Sequence, residues 1–318
     1  RRTYFDIFAN MIWKVYKKNN QDELQGEPDE IFPYYFYDIE AKINLDINAN
    51  NRIILSQFYG DDIIDFEHTE SYEYDDEKFT NTNIFDWRWG NHSNSITWRY
   101  IARPDLVFKT IYANSRFKFW IDMDNYQNRT NYNESNNSTS NEFEFDVFDI
   151  VNDYTFEANF IHQGFYNHKI SGGFQHKMVD FDLGMEFHIE NDGDTLNHRP
   201  LDMRSLTSES SFYMEDKWRI NSLLTLQYGL RSIYYNIHKK TYYDPRLSFR
   251  YNISPDIALK LNVGRYHQFL TIANPQDENF RFIDIWMGLR EDLLANFADN
   301  TIIGFDYLSN DDILYRAE

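Results

Sequence analysis

From Tyr35 the odd positions read Tyr35, Tyr37, Ile39, Ala41, Ile43, Leu45, Ile47, while the even ones read Phe36, Asp38, Glu40, Lys42, Asn44, Asp46. A period of two sends successive side chains to opposite faces of a strand, and no helix accommodates it. Thirteen such residues exceed the roughly five or six of a strand in a soluble domain. They suit a tilted strand that crosses a bilayer and projects beyond it. The pattern recurs at Ile96, Trp98, Tyr100, at Tyr154, Phe156, Ala158, Phe160, at Leu224, Leu226, Tyr228, Leu230, at Leu247, Phe249, Tyr251 and at Leu259, Leu261, Val263, each with polar residues between. A soluble sandwich would alternate in the same way with its apolar face inward, so periodicity alone does not place the lipid.

Composition narrows the choice. No run approaches eighteen uncharged apolar residues, and Arg1-Arg2-Thr3-Tyr4 opens the chain without an apolar signal region; a helical membrane span is excluded. A membrane barrel averages its lipid-facing and lumen-facing residues to a polar mean, as in this chain with 18% aromatic residues and a mean hydropathy of -0.68. A net charge of -20 argues against a nucleic-acid partner, which requires phosphate neutralisation. The absence of cysteine removes disulfides, thiolate nucleophiles and Cys-ligated zinc.

Connections discriminate further. Short turns rich in Asn, Asp, Ser and Pro are expected at 48–51, 103–105, 221–222, 254–256 and 310–312, with a short link near 239–243. Long polar loops are expected at 18–33, 61–90, 123–142, 188–208 and 268–299. Short turns on one side and long loops on the other are the pattern of an outer-membrane barrel. The scheme yields about thirteen strands, with Arg52 to Gly60 and Phe108 to Ile121 the least regular. An odd number cannot close an up-and-down bacterial barrel, so residues 1–318 are expected to be one partial barrel domain, part of a larger one.

The segments Ser211-Phe212-Tyr213-Met214-Glu215-Asp216-Lys217-Trp218-Arg219-Ile220, Leu224-Thr225-Leu226-Gln227-Tyr228-Gly229-Leu230-Arg231, Asp244-Pro245-Arg246-Leu247-Ser248-Phe249 and Leu259-Lys260-Leu261-Asn262-Val263-Gly264-Arg265-Tyr266-His267-Gln268 resemble, in order and spacing, mid-barrel strands of the TonB-dependent receptors, most closely those of Bacteroidetes-type Gram-negative bacteria. Tyr34 to Asp46, Ser56 to Gly60, Trp89-Gly90-Asn91 and Thr97-Trp98-Arg99 resemble the early strands. The resemblance implies an all-β fold, an antiparallel transmembrane β-barrel of 22 strands with a plugged lumen. Against that pattern the chain lacks the N-terminal plug with its TonB-contacting segment, and the last strands. It also implies the partners: TonB-ExbB-ExbD acting through the missing plug segment, outer-membrane lipid and lipopolysaccharide, and a surface lipoprotein or other outer-membrane protein. Gly229 and Gly264 are expected at lumen-facing positions where another element packs closely, and Pro245 at a strand start, where its missing donor is tolerated.

Nine acids crowd residues 61–78, and Glu190-Asn191-Asp192-Gly193-Asp194 has a calcium-loop flavour. A solvated extracellular segment explains the first, and the second lacks the order and distal Glu of a calcium loop. No metal and no cofactor are assigned. Triplets such as Asn128-Arg129-Thr130 and Asn133-Glu134-Ser135 read as polar loop sequence. The nine histidines form no HExxH, no acid–base dyad or nucleophile elbow stands out, and no catalytic residue is assigned.

The aromatics read first as lipid-facing residues and interfacial girdles, among them Trp98, Tyr100, Tyr35, Tyr37, Phe249 and Tyr251. Leu224, Leu226, Tyr228, Leu247, Phe249, Leu259 and Leu261 are expected to face lipid, with Thr225, Gln227, Arg231, Ser248, Arg250, Lys260 and Asn262 facing the lumen. Near the long-loop end, Trp87, Trp89, Arg265, His267, Gln268 and Trp286 are the candidates for ligand binding, since Arg and Trp dominate binding hot spots. Energised import of a scarce nutrient (a siderophore, cobalamin, oligosaccharide or peptide) is the leading expectation. A non-transporting barrel serving as structural or partner-binding subunit is the alternative, and a soluble β-sandwich lectin a remoter one.

Overall fold

The structure is a computed structural model describing residues 3–20, 33–132, 137–273, 285–309 and 313–317. One helix, α1 (Phe5–Asn19), precedes fourteen strands: β1 (Tyr34–Asn48), β2 (Asn51–Tyr74), β3 (Glu77–Arg103), β4 (Leu106–Asn131), β5 (Asn137–His162), β6 (His168–Asn191), β7 (Asp194–Arg219), β8 (Leu224–Tyr235), β9 (Lys240–Asn252), β10 (Ile257–Gln268), β11 (Leu270–Ala273), β12 (Ile285–Gly288), β13 (Asn296–Leu308) and β14 (Leu314–Ala317). Twelve of them form one sheet in the order β1 through β10, then β13 and β14. Every pairing in it is antiparallel. β11 and β12 pair only with each other.

The count therefore differs from the expected thirteen. Within 268–299 β11 and β12 pair separately where a bare loop was expected, and among the described residues the main sheet holds an even twelve, so the argument from an odd number falls away. The short turns at 48–51, 103–105, 221–222 and 254–256 are present, as is one between β5 and β6 at 163–167 that the sequence reading did not place. The turn expected at 310–312, residues 21–32 of the first expected loop, and Asn133-Glu134-Ser135 lie outside the described residues.

The larger correction concerns 61–90, 123–142 and 188–208. Where described, these are not loops but continuing strand, so β2 to β7 run for 24 to 27 residues. Polar side chains do not stop a ladder, because its hydrogen bonds are between backbones, and here cross-strand pairs support it. Phe66 stacks on Phe85 and Tyr72 on Phe79, at 5.3 and 5.2 Å between centroids, and the Thr69 and Thr82 hydroxyls meet at 3.0 Å. Crossing a bilayer takes about nine to eleven tilted residues, so more than half of each long strand stands beyond it. β8, β9 and β10, at 12 or 13 residues, make a low rim beside this high wall.

The register sorts side chains onto two faces. On one, Ile43, Leu55, Ile96, Tyr112 and Phe156 are consecutive cross-strand partners, all of them exposed. The same face carries Leu226, Phe249, Leu261 and Ile303 in a second row; this is the belt face. Thr225, Arg250 and Lys260 share a row of the opposite face, as do Gln227, Ser248 and Asn262. The split is the one expected from the alternation.

The glycine and proline expectations are corrected in part. What lies over Gly264 is the Tyr266 ring of its own strand, about 3.0 Å from where a Cβ would sit, and at Gly229 the close neighbour is the adjacent strand, with Met214 O at 2.9 Å. Pro245 sits inside β9. Its missing donor is tolerated there because it pairs with Leu230 on one side, while the β10 ladder on the other ends at Arg246.

Candidate ligand-binding site

Above the level of the belt, the face opposite it turns apolar. Phe119, Ile121, Phe145, Val147 and Leu183 form a buried cluster, with Phe85, Trp87, Trp89, Phe117, Met185 and Met203 packed on it. The rings of Trp87 and Trp89 are 5.0 Å apart, and Trp87 meets Phe119 edge-on at 6.2 Å. This wall comes from the strand extensions of β3 to β7, so it exists only because those segments pair instead of looping.

The β11–β12 hairpin lies against it. Its base is fixed on the low rim: Leu289 N–H donates to Phe269 O at 2.9 Å, the Tyr235 hydroxyl donates to Leu289 O at 2.8 Å, and Ile233, Tyr235, Phe269 and Leu289 form a second buried cluster. From there β12 reaches β5, β6 and β7. Gly288 is needed at that approach, since a Cβ would stand 2.4 Å from Thr207 Cγ2 and 3.1 Å from Phe181.

At the far end of the reach is Asp149. It is wholly buried, its cross-strand partners are Phe119 and Leu183, and its Oδ2 accepts the Trp286 backbone N–H at 2.7 Å. Its Oδ1 is buried without a hydrogen-bond partner. Burial pushes the carboxyl up to about 6, against the opposing pull of the Trp286 N–H, because an apolar setting penalises the charged form. An apolar lining with a few placed polar groups is the usual composition of a small-ligand site.

The six expected ligand residues do not converge at one point. Trp87 and Trp89 belong to the wall, and the Trp286 segment touches it through Asp149. His267 is held at the rim by Asp244, Nδ1 to Oδ1 at 2.6 Å, beside the Tyr242 and Phe269 rings, and Gln268 Nε2 donates to Leu270 O at 2.8 Å. Arg265 is engaged by Asp299 at 2.7 and 2.6 Å and lies over Phe297. The sequence reading missed Asp149 and Tyr235. One signal was present: in Phe145, Val147, Asp149, Val151 a lone acid interrupts an apolar alternate row.

The acids of 61–78 do not gather. Asp61 and Asp62 take up the Tyr37 and Tyr34 hydroxyls, Glu77 pairs with Arg129, and strand alternation sends the rest to both faces. Asp192-Gly193 is a tight hairpin turn with positive φ at both residues, 49 and 89°, which is why Asp-Gly stands there. On the belt face beyond the spanning level, Glu142, Glu144 and His188 bring ligand-capable atoms within 4.8 Å of one another. A hydrogen bond with Glu144 raises the Glu142 carboxyl.

A single antiparallel sheet with consecutive strands paired, an exposed apolar belt, and short turns opposite tall hairpins defines the class: a β-barrel wall of the outer membrane. Within that class the chain belongs to the family described as TonB dependent receptor-like, beta-barrel, which matches residues 17–306. Among solved structures it is similar to the RagAB peptide importer in its closed-closed state, with a TM-score of 0.55 at 8% identity over 88% of this chain and 39% of that one. In the open-open state of the same importer the TM-score is 0.54 at 9% identity, over 88% and 38%. BauA, the ferric preacinetobactin receptor from Acinetobacter baumannii, gives a TM-score of 0.45 at 10% identity over 86% and 50%, too loose a likeness to argue from. The chain spans about two-fifths of the RagAB chain it matches. No curated protein matches the sequence.

Proposed function

We propose that the protein imports a scarce nutrient, binding it on the aromatic wall of β3 to β7 and passing it inward when the TonB-ExbB-ExbD machinery acts through a plug supplied by sequence other than residues 1–318. The observation that carries this reading is the hairpin seated on the wall, with one Asp149 oxygen bonded to it and the other unpartnered. In this reading the belt-face residues Leu224, Leu226, Tyr228, Leu247, Phe249, Leu259 and Leu261 meet lipid. Thr225, Gln227, Arg231, Ser248, Arg250, Lys260 and Asn262 meet the lumen. The reading gives the chain no catalytic role. The structural likeness to a peptide importer supports a peptide as the first ligand class to try.

A non-transporting barrel is the second reading, and one observation favours it. The wall is already filled, Ile121 and Val147 being only 1% exposed, as expected of a surface that serves packing. Uptake in cells carrying the intact gene, with and without the TonB-contacting segment, separates the two. Transport predicts uptake that is lost with the segment and weakened by Trp87→Ala or Trp89→Ala. No uptake of peptides, ferric chelates, cobalamins or oligosaccharides in either strain would leave the structural reading.

A further inference from the structure

The short-turn end of the lumen face holds a cavity apart from the aromatic wall. Lys217, Arg219, Arg250 and Lys260 line it together with Gln227 and Asn262, enclosing about 530 Å³. Four cations gather here in a chain of net charge -20. The register brings them together. Lys217 is directly opposite Lys169, and Arg250 directly opposite Lys260, while Thr225 links Arg219 to Arg250 in one row. Like charges directly opposed across a ladder weaken it, so these pairs cost the sheet stability.

The acids on this face answer only part of that charge. Asp306 accepts from Lys260 Nζ at 2.7 Å, Arg250 Nη1 at 3.1 Å and Arg316 Nε at 3.1 Å, so one carboxylate is shared by three cations. Glu215 stands one row above Lys217, and Arg246 shares its row across Gly229. Asp216 turns to the belt face, where the His168 ring and the Tyr228 hydroxyl engage it, and Asp256 stands in the short turn between β9 and β10. Among the described residues neither Lys217 nor Arg219 has an acidic partner, and both are exposed.

Height places these cations on the way out of the wall. β7 ends at Arg219 and β8 begins at Leu224, so Lys217 and Arg219 lie at the short turn between them, and short turns face the periplasm in such barrels. The acids gather at the other end. Asp65, Asp86, Asp122, Asp146 and Glu186 form one cross-strand row on the belt face of the strand extensions, and Asp149 is buried in the wall. An anion that has passed the wall therefore moves away from carboxylates and toward unanswered cations, a field that favours inward travel.

We propose that this pocket receives the carboxylates of the imported ligand, which makes that ligand an acidic peptide. The inference rests on the import reading and adds to it a charge class and a site on the periplasmic side of the wall. Guanidinium and ammonium groups give charge-assisted hydrogen bonds to carboxylate oxygens, and the Arg219 fork can hold both oxygens at once. The Gln227 and Asn262 amides offer neutral donors beside them.

The test uses cells carrying the intact gene and a pair of pentapeptides, one with two glutamates and one with glutamines in their place, with calorimetry on the intact receptor as a second readout. The wild type is expected to favour the acidic peptide about tenfold or more in both readouts, and Lys217→Gln/Arg219→Gln to lose that preference. Lys217→Arg should keep it. Since Lys217→Gln removes a charge facing Lys169, its urea midpoint should equal or exceed that of the wild type, and this single variant carries the test where the double one does not fold. Preferential binding of the acidic peptide with no uptake of either would sink the import reading and uphold the pocket. Uptake of both peptides alike by the wild type would uphold import and overturn the proposal, as would binding of neither. A double variant that folds and loses both peptides equally would make the pocket a seat for the plug and overturn the ligand assignment.

Discussion

Phe249→Arg and Ser248→Arg differ by one residue along β9 and should differ greatly in effect. Phe249 shares its row with Leu226 and Leu261 on the belt face, and Ser248 shares its row with Gln227 and Asn262 on the other. Phe249 stands four residues before the turn that starts at Ile253. At about 3.3 Å per residue and a tilt near 40°, that places it about 10 Å up a band about 25 Å tall, close to the midplane. An arginine there costs about 2–4 kcal/mol, or about 30-fold to several hundred-fold in the folding equilibrium, at tenfold per ~1.4 kcal/mol. At position 248 the added charge meets water on the lumen side and two like charges, Arg246 and Arg250, two residues away on its own face. Each is about 7 Å distant along the strand, worth about 0.6 kcal/mol in water, so the total stays near 1 kcal/mol.

The assay is urea-dependent refolding of the intact receptor into lipid vesicles, read by heat-modifiable migration and tryptophan fluorescence. Phe249→Arg should shift the midpoint well below that of Ser248→Arg. Equal midpoints, or the reverse order, would show that the belt face is not the lipid face, and the inward wall assigned to ligand would lose its basis.

Asp149 gives a pH signature with a defined sign. Its folded value, raised to about 6 from 3.8, means stability is full below about pH 4 and is lost as pH rises through about 6, by about 3 kcal/mol at ~1.4 kcal/mol per unit; Asp149→Asn should flatten that window in pH-dependent urea titrations. Gly288→Ala should lift β12 from Thr207 and Phe181 at a cost of about 1–3 kcal/mol, seen as faster hydrogen exchange at the Trp286 amide with the β2–β7 ladder unchanged. Trp87→Ala and Trp89→Ala should each weaken ligand binding about tenfold or more in calorimetry on the intact receptor, against no change for Trp98→Ala on the belt.

The part of this fold that the sequence made legible is the part the bilayer dictates. Lipid on one side and water on the other force apolar and polar residues to alternate, so Leu224 to Leu230 and Leu259 to Val263 declare both strand and face. Beyond the bilayer that constraint ends. Residues 61–90 alternate Thr, Asn, Asp and Glu with occasional rings, a composition shared with loops, and only the pairing of one hairpin with the next keeps them extended. Their order is a property of neighbours distant in sequence, such as Phe85 with Met123 and Asp124 with Glu144. α1 was overlooked for a different reason: Phe5, Phe8, Ile12 and Tyr16 have helical spacing, but a search for period two passes over it.

The candidate site follows the same division. Trp87 and Trp89 were legible because rare residue types stand out wherever they fall, whereas Asp149 is ordinary in a chain with 51 acids. What singles it out is burial between Phe119 and Leu183, a fact of register that no local reading supplies. The tall β2–β7 wall beside the low β8–β10 rim then explains why the hairpin goes where it does. β11 and β12 leave the sheet at the rim, and the strand extension across from it offers apolar surface within reach, so packing sets β12 on the wall and brings the Trp286 N–H to Asp149. A barrel with even strand heights would present no such surface, and shortening the β4–β5 hairpin below Phe119 and Asp149 should release β12 even though no residue of β12 is altered.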